Sequence, residues 1–443
     1  MKNYFPFIFS NAQKTNSQFA FIKLLKFCKC GRQKKGIVFP ALFISFLFIF
    51  GCRSYMARPY DFPRPVDTTD KAIKLQEKKI YALAEQGVYA GNLFDGARLN
   101  NFEHVGNNTF RATISPENEP INPSAYYAFK IWATDKKNIN LELNYTQGYH
   151  RYAPKISRDG KTWELLDSNK VELAQDSASA FLSLDISADT LWLAAQEIHN
   201  STHVRQWCEA KAKQPGVHFS SIGKSKLGKG FLLLDINIGD ARKKDIIVVL
   251  SRQHPPEVTG YLAMQAFVDE ILADNILSNN FRKKYRLLVF PLMNPDGVDL
   301  GHWRHNAGGV DLNRDWAYYH QPENRQVADF IVKTVRQNKS DLILGLDFHS
   351  TFYDVYYTNN KAPEQIPNFK DYWITGIKNT IKEEAAERPS NVGAPVSKAW
   401  FLTQFGAEGI TYEIGDSTPR DFIKKKGKIS AVEMMELLVF RGE

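Results

Sequence analysis

The chain has 443 residues, of which 43% are hydrophobic and 24% are charged, and its formal net charge is +9. This composition excludes a largely disordered protein, and the length allows two domains that each have a core. Residues 1–51 hold eight basic and no acidic residues, which leaves 49 basic and 48 acidic residues in 52–443. Because the positive charge belongs to the leader, the composition gives no support to nucleic-acid binding by a folded face.

The first 51 residues have the pattern of an export signal. Basic residues up to Lys35 precede an uncharged run over 37–50, which is short for a membrane-spanning helix and suits a signal-peptide core. The run ends in Ile49-Phe50-Gly51-Cys52, which resembles the cleavage motif of bacterial lipoproteins. We therefore predict a leader over 1–51 and lipid on Cys52. The mature protein would be an exported, membrane-anchored lipoprotein of a bacterial cell envelope, facing the periplasm or the cell surface. A short uncleaved membrane anchor is the alternative.

The next part of the chain is predicted to be a tether followed by strands. A proline-rich stretch and a charged segment indicate a tether over 52–84. Short runs rich in aromatic and branched residues predict strands at 126–132, 139–143, 182–186 and 191–193. Asp159-Gly160 predicts a hairpin turn, because glycine readily supplies positive φ. Together these patterns indicate an all-β sandwich domain over 85–204.

From about residue 205 continuous apolar runs alternate with helical patterns. Strands are predicted at 246–250, 286–290 and 342–346, and helices at 258–272 and 324–336. Such alternation is typical of a sheet that is covered by helices on both faces. The predicted fold is therefore an α/β domain with a mixed sheet flanked by helices over 205–443, preceded by the all-β sandwich.

Two histidines and a glutamate follow or end predicted strands. His254-Pro255-Pro256-Glu257 comes just after the first strand, and a His and a Glu three residues apart can reach one metal. Alone, this pair could equally lie on an exposed turn. His349 ends another strand and could complete a His₂Glu set, although by itself it could be a hydrogen-bonded core histidine. Three protein ligands leave a position for water, which is the catalytic zinc arrangement.

Further polar motifs lie between and after these residues. Asn294-Pro295-Asp296-Gly297 follows a strand, and dense polar stretches occupy 303–306 and 309–316. Near the end, Glu413 lies within the apolar run 410–414. A half-buried acid without a local partner is costly unless it serves a metal, a base role or an ion pair.

These motifs, in this order, resemble those of the zinc carboxypeptidase family, whose metal motif is His-x-x-Glu followed by a distant His. The similarity spans about 245–420. The strand-rich segment before it is loosely similar to the N-terminal sandwich of the cytosolic carboxypeptidase branch, which removes glutamates from protein tails. The resemblance implies one zinc per chain, held by His254, Glu257 and His349. It also implies that Asp311 accepts a hydrogen bond from the other ring nitrogen of His254.

The resemblance assigns the remaining site residues as well. Glu413 would be the general base, which takes a proton from water and passes it to the leaving amine. Arg304 would face the oxyanion. Asn313 and Arg314 would hold the terminal carboxylate of the substrate, and this contact would make the enzyme an exopeptidase.

One departure from the family concerns specificity. The family usually has a tyrosine about twenty residues before the base, but here the segment 390–395 contains none. An alignment anchored on Trp400 and Glu413 puts Lys398 at the base of the specificity pocket, where a lysine would favour acidic C-terminal residues. The alternative is that Lys398 is a solvated loop lysine.

The predicted function is a zinc-dependent metallocarboxypeptidase that hydrolyses the C-terminal amide bond of a peptide or peptidoglycan-peptide substrate. One alternative is an amidase or carboxypeptidase that trims cell-wall peptides. Another is a non-catalytic surface module that binds peptide or glycan through the sandwich. The complete set of predicted ligands and base favours an enzyme.

Overall fold

The computed structural model describes residues 55–440 except 176, 364 and 383–385, so the predicted leader and Cys52 lie outside the described residues. The strands, numbered in chain order, are β1 Ile80–Leu83, β2 Val88–Gly91, β3 Asn101–Gly106, β4 Thr109–Ile114, β5 Ala128–Ala133, β6 Lys137–Tyr145, β7 Lys155–Ser157, β8 Glu164–Leu165, β9 Val171–Leu173, β10 Ser179–Ile186, β11 Leu191–Ala194, β12 Val217–Lys224, β13 Gly230–Ile236, β14 Asp245–Ser251, β15 Tyr285–Phe290, β16 Leu342–Thr351, β17 Val355–Asn359, β18 Ala386–Ser390 and β19 Glu408–Gly415. The helices are α1 Ser201–Lys211, α2 Val258–Ile271, α3 Ile276–Lys284, α4 Pro295–Leu300, α5 Pro322–Asn338, α6 Phe369–Ile381, α7 Ser397–Phe405 and α8 Arg420–Val439.

The first eleven strands form two sheets. One has the order β1-β2-β5-β11-β7-β8 and the other β3-β4-β6-β10-β9. Both sheets contribute apolar side chains to one core, which includes Val88 and Ile131 from the first sheet and Phe110 and Leu182 from the second. The expected sandwich architecture is therefore present. Its first strand, β1, begins within the segment that the sequence predicts to be a tether.

The predicted hairpin turn joins β7 to β8, which pair in antiparallel fashion. Gly160 has φ 70°, and Asp159 Oδ1 accepts hydrogen bonds from the backbone N–H groups of Lys161 and Thr162, both at 2.7 Å. The aspartate thus satisfies the backbone of the turn while the glycine supplies its left-handed conformation.

The second half of the chain contains an eight-stranded mixed sheet in the order β12-β13-β15-β14-β16-β19-β17-β18. The central strands β15, β14, β16 and β19 run parallel to one another, whereas β12, β13 and β17 add antiparallel pairs. Alternate residues of β14 enter different cores: Ile247 and Val249 pack with α2 and α8, while Ile246 and Val248 pack with α5 and α7. Both faces of the sheet are therefore covered by helices, as predicted.

The segment before β1 has neither helix nor strand over 55–79, but it is attached to the second half of the chain. The backbone N–H of Ala57 donates to Asp329 Oδ1 at 2.8 Å, and that of Tyr60 donates to the carbonyl of Ala317 at 3.2 Å. Much of the segment predicted as a tether therefore lies on the α/β half. In the described part of the chain, no helix has both the length and the apolar character needed to cross a bilayer.

Candidate metal centre and catalytic pocket

The first two candidate ligands lie at the carboxyl end of the central strand β14. This strand ends at Ser251, and His254 follows in the turn that leads to Glu257, the residue that immediately precedes α2. Arg252 holds the turn, since its Nη2 donates to the carbonyl of Pro255 at 2.5 Å. Because ligands in open α/β sheets bind outside the carboxyl ends of the strands, this is the expected location for a site.

The third candidate ligand, His349, lies on the neighbouring strand β16, two residues before its end. Both imidazoles turn Nδ1 towards the Glu257 carboxylate: His254 Nδ1 is 2.7 Å from Oε1, and His349 Nδ1 is 2.7 Å from Oε2. The ligating atoms of the three residues all lie within 4.8 Å of one another, and all three side chains are nearly inaccessible to solvent. Two imidazoles and one carboxylate at this spacing fit zinc.

The outer nitrogens of the two imidazoles face carboxylates. His254 Nε2 is 2.9 Å from Asp311 Oδ1, as the predicted hydrogen bond requires, and His349 Nε2 is 2.8 Å from Asp347 Oδ2, although not in good hydrogen-bond alignment. Such carboxylate partners fix the ring orientation of metal-binding histidines. The sequence prediction missed Asp347, yet the period of two along a strand puts it on the same face as His349.

The charges of the site favour a cation at its centre. Burial opposes ionisation of Glu257, but His254 and His349 hold the pKa of its carboxyl well below its usual range. Burial also opposes a charged His349, yet Asp347 and Glu257 raise its pKa well above the usual value. Opposite charges thus outweigh desolvation at both residues, and the carboxylates of Asp347 and Glu257 favour positive charge between them.

Glu413 lies on β19, directly opposite His349 in the parallel register of β16 and β19. Its Oε2 is buried and has no hydrogen-bond partner among the described residues. Burial and the nearby Glu257 raise the pKa of Glu413 to about 7. A carboxyl with an unsatisfied oxygen and a pKa near neutrality is suited to exchange protons with a bound water or substrate.

The residues predicted to bind substrate form a connected group beside Asp311. Arg304 Nε donates to Asp311 Oδ2 at 2.8 Å, and Arg314 Nη1 lies 3.8 Å from the same oxygen. Asn313 accepts a hydrogen bond on Oδ1 from the backbone N–H of Ser397 at 2.9 Å, which leaves its amide nitrogen for a ligand. Arg304, Asn313 and Arg314 line one cavity of about 450 Å³, together with the three candidate ligands and Glu413.

Lys398 lines the same cavity and is only 6% exposed, so the alternative of a solvated loop lysine is wrong. It lies in the first turn of α7. Its Nζ donates to the carbonyl of Thr358, Asn359 Oδ1 and Ser390 Oγ at 2.9, 3.1 and 3.0 Å. Burial lowers its pKa to about 8.

The cavity also has walls that the sequence prediction did not identify. Arg151 comes from the sandwich; its Nη2 and Nε each lie 2.7 Å from Asp416 Oδ2, and its guanidinium lies 4.3 Å from the ring centroid of Phe352. Tyr149 from the same loop lines the cavity, as does Tyr357 from β17. Tyr357 thus supplies a tyrosine to the pocket from a neighbouring strand, although the segment 390–395 has none.

Glu117, in the sandwich, is fully buried and supports the loop that carries Arg304. Its two carboxylate oxygens accept hydrogen bonds from the backbone N–H groups of Trp303, Arg304 and His305 at 2.8, 2.8 and 2.6 Å. Burial raises the pKa of a carboxyl, but here His302, Arg98 and these N–H groups lower it. A buried acid fixed by three amides holds this loop in one conformation.

Comparisons with known proteins find similarity to zinc carboxypeptidases. The family model described as zinc carboxypeptidase, of peptidase family M14, matches residues 204–428, which is just over half of the chain. The uncharacterized protein ZMO1242 of Zymomonas mobilis is 24% identical over 265 residues, covering 58% of this chain and 66% of that protein. Cytosolic carboxypeptidase 6 of Mus musculus is 28% identical over 117 residues, covering 26% of this chain. The match spans only 22% of the mouse protein.

A solved structure shares the fold over a longer range. The metallo-carboxypeptidase from Burkholderia cenocepacia has a TM-score of 0.67 and 16% identity, covering 79% of this chain and 99% of that one. That share is about 350 of the 443 residues, more than residues 204–443 alone can provide. The common fold therefore includes part of the strand-rich first half.

Proposed function

Because the chain belongs to the zinc carboxypeptidase family, we propose that it is a zinc-dependent metallocarboxypeptidase that removes the C-terminal residue of peptides. One observation carries the proposal: the buried set of His254, Glu257 and His349 shares a cavity with Glu413, whose Oε2 has no hydrogen-bond partner in the part of the chain that the structure describes. The completeness of this set favours an enzyme over a surface module that only binds peptide or glycan.

The ligand set supports hydrolysis of an amide by water. Zinc, when bound, lowers the pKa of a coordinated water to about 7 and polarises a carbonyl. Glu413 Oε2 accepts a proton from the attacking water while the water oxygen forms a bond to the scissile carbonyl carbon. The same carboxyl then gives that proton to the nitrogen as the carbon–nitrogen bond breaks, so the products are a free acid and a free amine.

Arginines supply the positive charge that the reaction needs. Arg304 is oriented by its bond from Nε to Asp311, and its remaining N–H groups can stabilise the oxyanion that forms on the carbonyl oxygen. Arg314 and the Asn313 amide can hold a terminal carboxylate, since a guanidinium binds carboxylates with a planar pair of donors. Recognition of the free carboxylate restricts cleavage to the last bond.

A pair of synthetic peptides with free and amidated C-termini tests the proposal. We expect mass spectrometry to show loss of one C-terminal residue from the free peptide and little change in the amidated peptide. A control reaction with Glu413→Gln should leave both peptides intact. Internal cleavage, or equal cleavage of both peptides, would contradict carboxypeptidase activity.

The finer substrate preference follows from Lys398. A buried lysine in the cavity wall, surrounded by neutral acceptors, favours an anionic side chain on the terminal residue. Peptides that end in Glu, Asp or diaminopimelate are therefore proposed as preferred substrates, and the last would make cell-wall peptides a substrate class. A panel of peptides that differ only in the terminal residue distinguishes these possibilities.

The cellular location is a separate proposal that depends on the sequence pattern around Cys52. If Cys52 carries the lipid anchor, Cys52→Ser should move the protein from the membrane fraction to the soluble fraction. One acyl chain alone binds a membrane only marginally, so firm attachment requires several chains. A variant that stays in the membrane fraction with residues 37–50 intact would favour an uncleaved anchor.

A further inference from the structure

The segment from residue 57 to residue 71, here called the strap, lies along the α/β half of the molecule. Phe62 is buried against Ala317 and Ala399, and the backbone N–H of Lys71 donates to the carbonyl of Gly308 at 2.8 Å. Thr68 Oγ1 donates to the buried Asp315 carboxylate at 2.6 Å. The strap is therefore fixed along its length, and its side chains have defined neighbours.

Arg64 brings the strap into the catalytic cavity. Its backbone N–H donates to the carbonyl of Gly393 at 2.8 Å, and Arg64 lines the cavity that Ser390 and Lys398 also line. The guanidinium lies so close to Gly393 that a Cβ added there would be 2.8 Å from Arg64 Nη2. The side chain is exposed, and no acceptor for its guanidinium is found among the described residues.

Lys398 cannot bind a substrate carboxylate directly without losing an existing bond. An ammonium group has three donors, and all three are used by the Thr358 carbonyl, Asn359 Oδ1 and Ser390 Oγ. The positive charge of Lys398 can therefore attract an anion in the cavity, but its N–H donors are already bonded to protein acceptors. A carboxylate in this part of the cavity needs donors from other side chains.

Ser390 and Arg64 can provide those donors. Ser390 Oγ accepts from Lys398, so the hydroxyl hydrogen remains available to a ligand and is polarised by the lysine. Arg64 offers a planar set of N–H groups that matches a carboxylate. Both side chains line the cavity together with Lys398.

We propose that Arg64 is a further specificity-determining residue, which binds the side-chain carboxylate of the substrate's C-terminal residue together with the Ser390 hydroxyl, while Lys398 supplies a fixed positive charge behind them. This inference rests on the proposed carboxypeptidase function. It assigns a substrate-binding role to a segment that precedes the sandwich and that the sequence marks only as a tether.

The test uses two peptides that are identical except for a C-terminal Glu or Gln. Since hydrogen bonds to charged groups are worth about ten-fold or more in binding, Arg64→Gln should lower the Glu-to-Gln ratio of kcat/KM by roughly ten-fold, mainly through KM. Arg64→Lys should restore part of the ratio, because the charge returns without the planar fork. Gly393→Ala should also lower it, since the new methyl group displaces the guanidinium.

Arg58→Gln is the matched control, because Arg58 is an exposed strap arginine that does not line the cavity. It should keep the wild-type ratio, and thermal unfolding midpoints should be similar for all variants. If the wild type releases no terminal residue from these two peptides or from the panel, the proposed function fails and the inference with it. If it releases other residues but neither Glu nor Gln, the proposed function stands and the role of Arg64 is wrong. If the wild type releases both and Arg64→Gln keeps the wild-type ratio, the proposed function stands and the role of Arg64 is wrong.

Discussion

The metal centre and the walls of the pocket are built from the chain in different ways. His254, His349 and Glu413 follow or lie on the adjacent parallel strands β14, β16 and β19, within one sheet. The walls instead include Arg64 from the strap and Arg151 from the sandwich, which are distant in sequence. The candidate ligands and base therefore come from strand ends of the α/β half, whereas the cavity wall also includes residues from the segments before it.

The largest effect is expected when a candidate ligand is removed from the metal centre, because both zinc binding and turnover should then be lost. The wild-type protein should hold about one zinc per chain, since the three ligands form one closed set. We expect His254→Ala and His349→Ala to lose stoichiometric zinc and all detectable turnover, as measured by metal analysis and peptide release. Full zinc content in both variants would show that the ligand set is wrong.

Glu117 tests whether the sandwich is needed for the catalytic loop. In Glu117→Gln, the new amide nitrogen faces backbone N–H groups and cannot accept their hydrogen bonds. Arg98 and His302 also lose the negative charge with which they interact. Breaking a buried charged contact of this kind should lower the free energy of unfolding by about 3–5 kcal/mol. Chemical denaturation measures this change.

Glu119→Gln serves as the control, because Glu119 is exposed and lies two residues away. It should change stability little. An equally stable Glu117→Gln variant would mean that the sandwich does not hold the loop of Arg304.

Substitution of the proposed base, Glu413, should have the next largest effect. It should lower turnover without changing zinc binding, and so distinguishes the two roles. Glu413→Gln keeps the size of the side chain but cannot accept a proton from water. We expect a turnover loss on the order of 10²-fold or more, about 2.7 kcal/mol, with zinc content unchanged. Near-normal activity would remove Glu413 from the mechanism, whereas loss of zinc would make it part of the metal site.

The smallest expected effect concerns recognition by the pocket wall. Lys398→Glu should reverse the preference between peptides ending in Glu and Lys, by roughly 1–3 kcal/mol in transition-state discrimination. Lys333→Glu, at an exposed position on α5, gives the same charge change outside the cavity. If the two variants show the same ratio of rates, Lys398 does not select the substrate.

The sequence predicted most of the fold because its signals are local. The runs at 246–250, 286–290 and 342–346 became β14, β15 and β16, and the helical pattern from 258 became α2. The ligand motif could be recognised because His254 and Glu257 are close in the chain, just after one predicted strand, and His349 ends another. The resemblance to the family, rather than spacing, gave Asp311, whose Oδ1 lies 2.9 Å from His254 Nε2.

The pocket walls could not be predicted because no local pattern encodes them. Arg64 and Arg151 are ordinary charged residues in sequence, and only the packing of distant segments brings them to the cavity. The hydrogen-bond donors of the Glu117 carboxylate are likewise distant in the chain, since the backbone N–H groups that donate to it lie about 187 positions later. Long-range contacts of this kind depend on the folded structure rather than on periodicity or propensity.

Zinc titration of the metal-free protein tests the central claim most directly. A chelator should abolish release of the C-terminal residue, and activity should then rise linearly with added zinc and level off at about one equivalent per chain. Calorimetry under the same conditions should give the same stoichiometry. Release that survives metal removal, or that does not respond to added zinc, would contradict the assignment of this site as the catalytic centre.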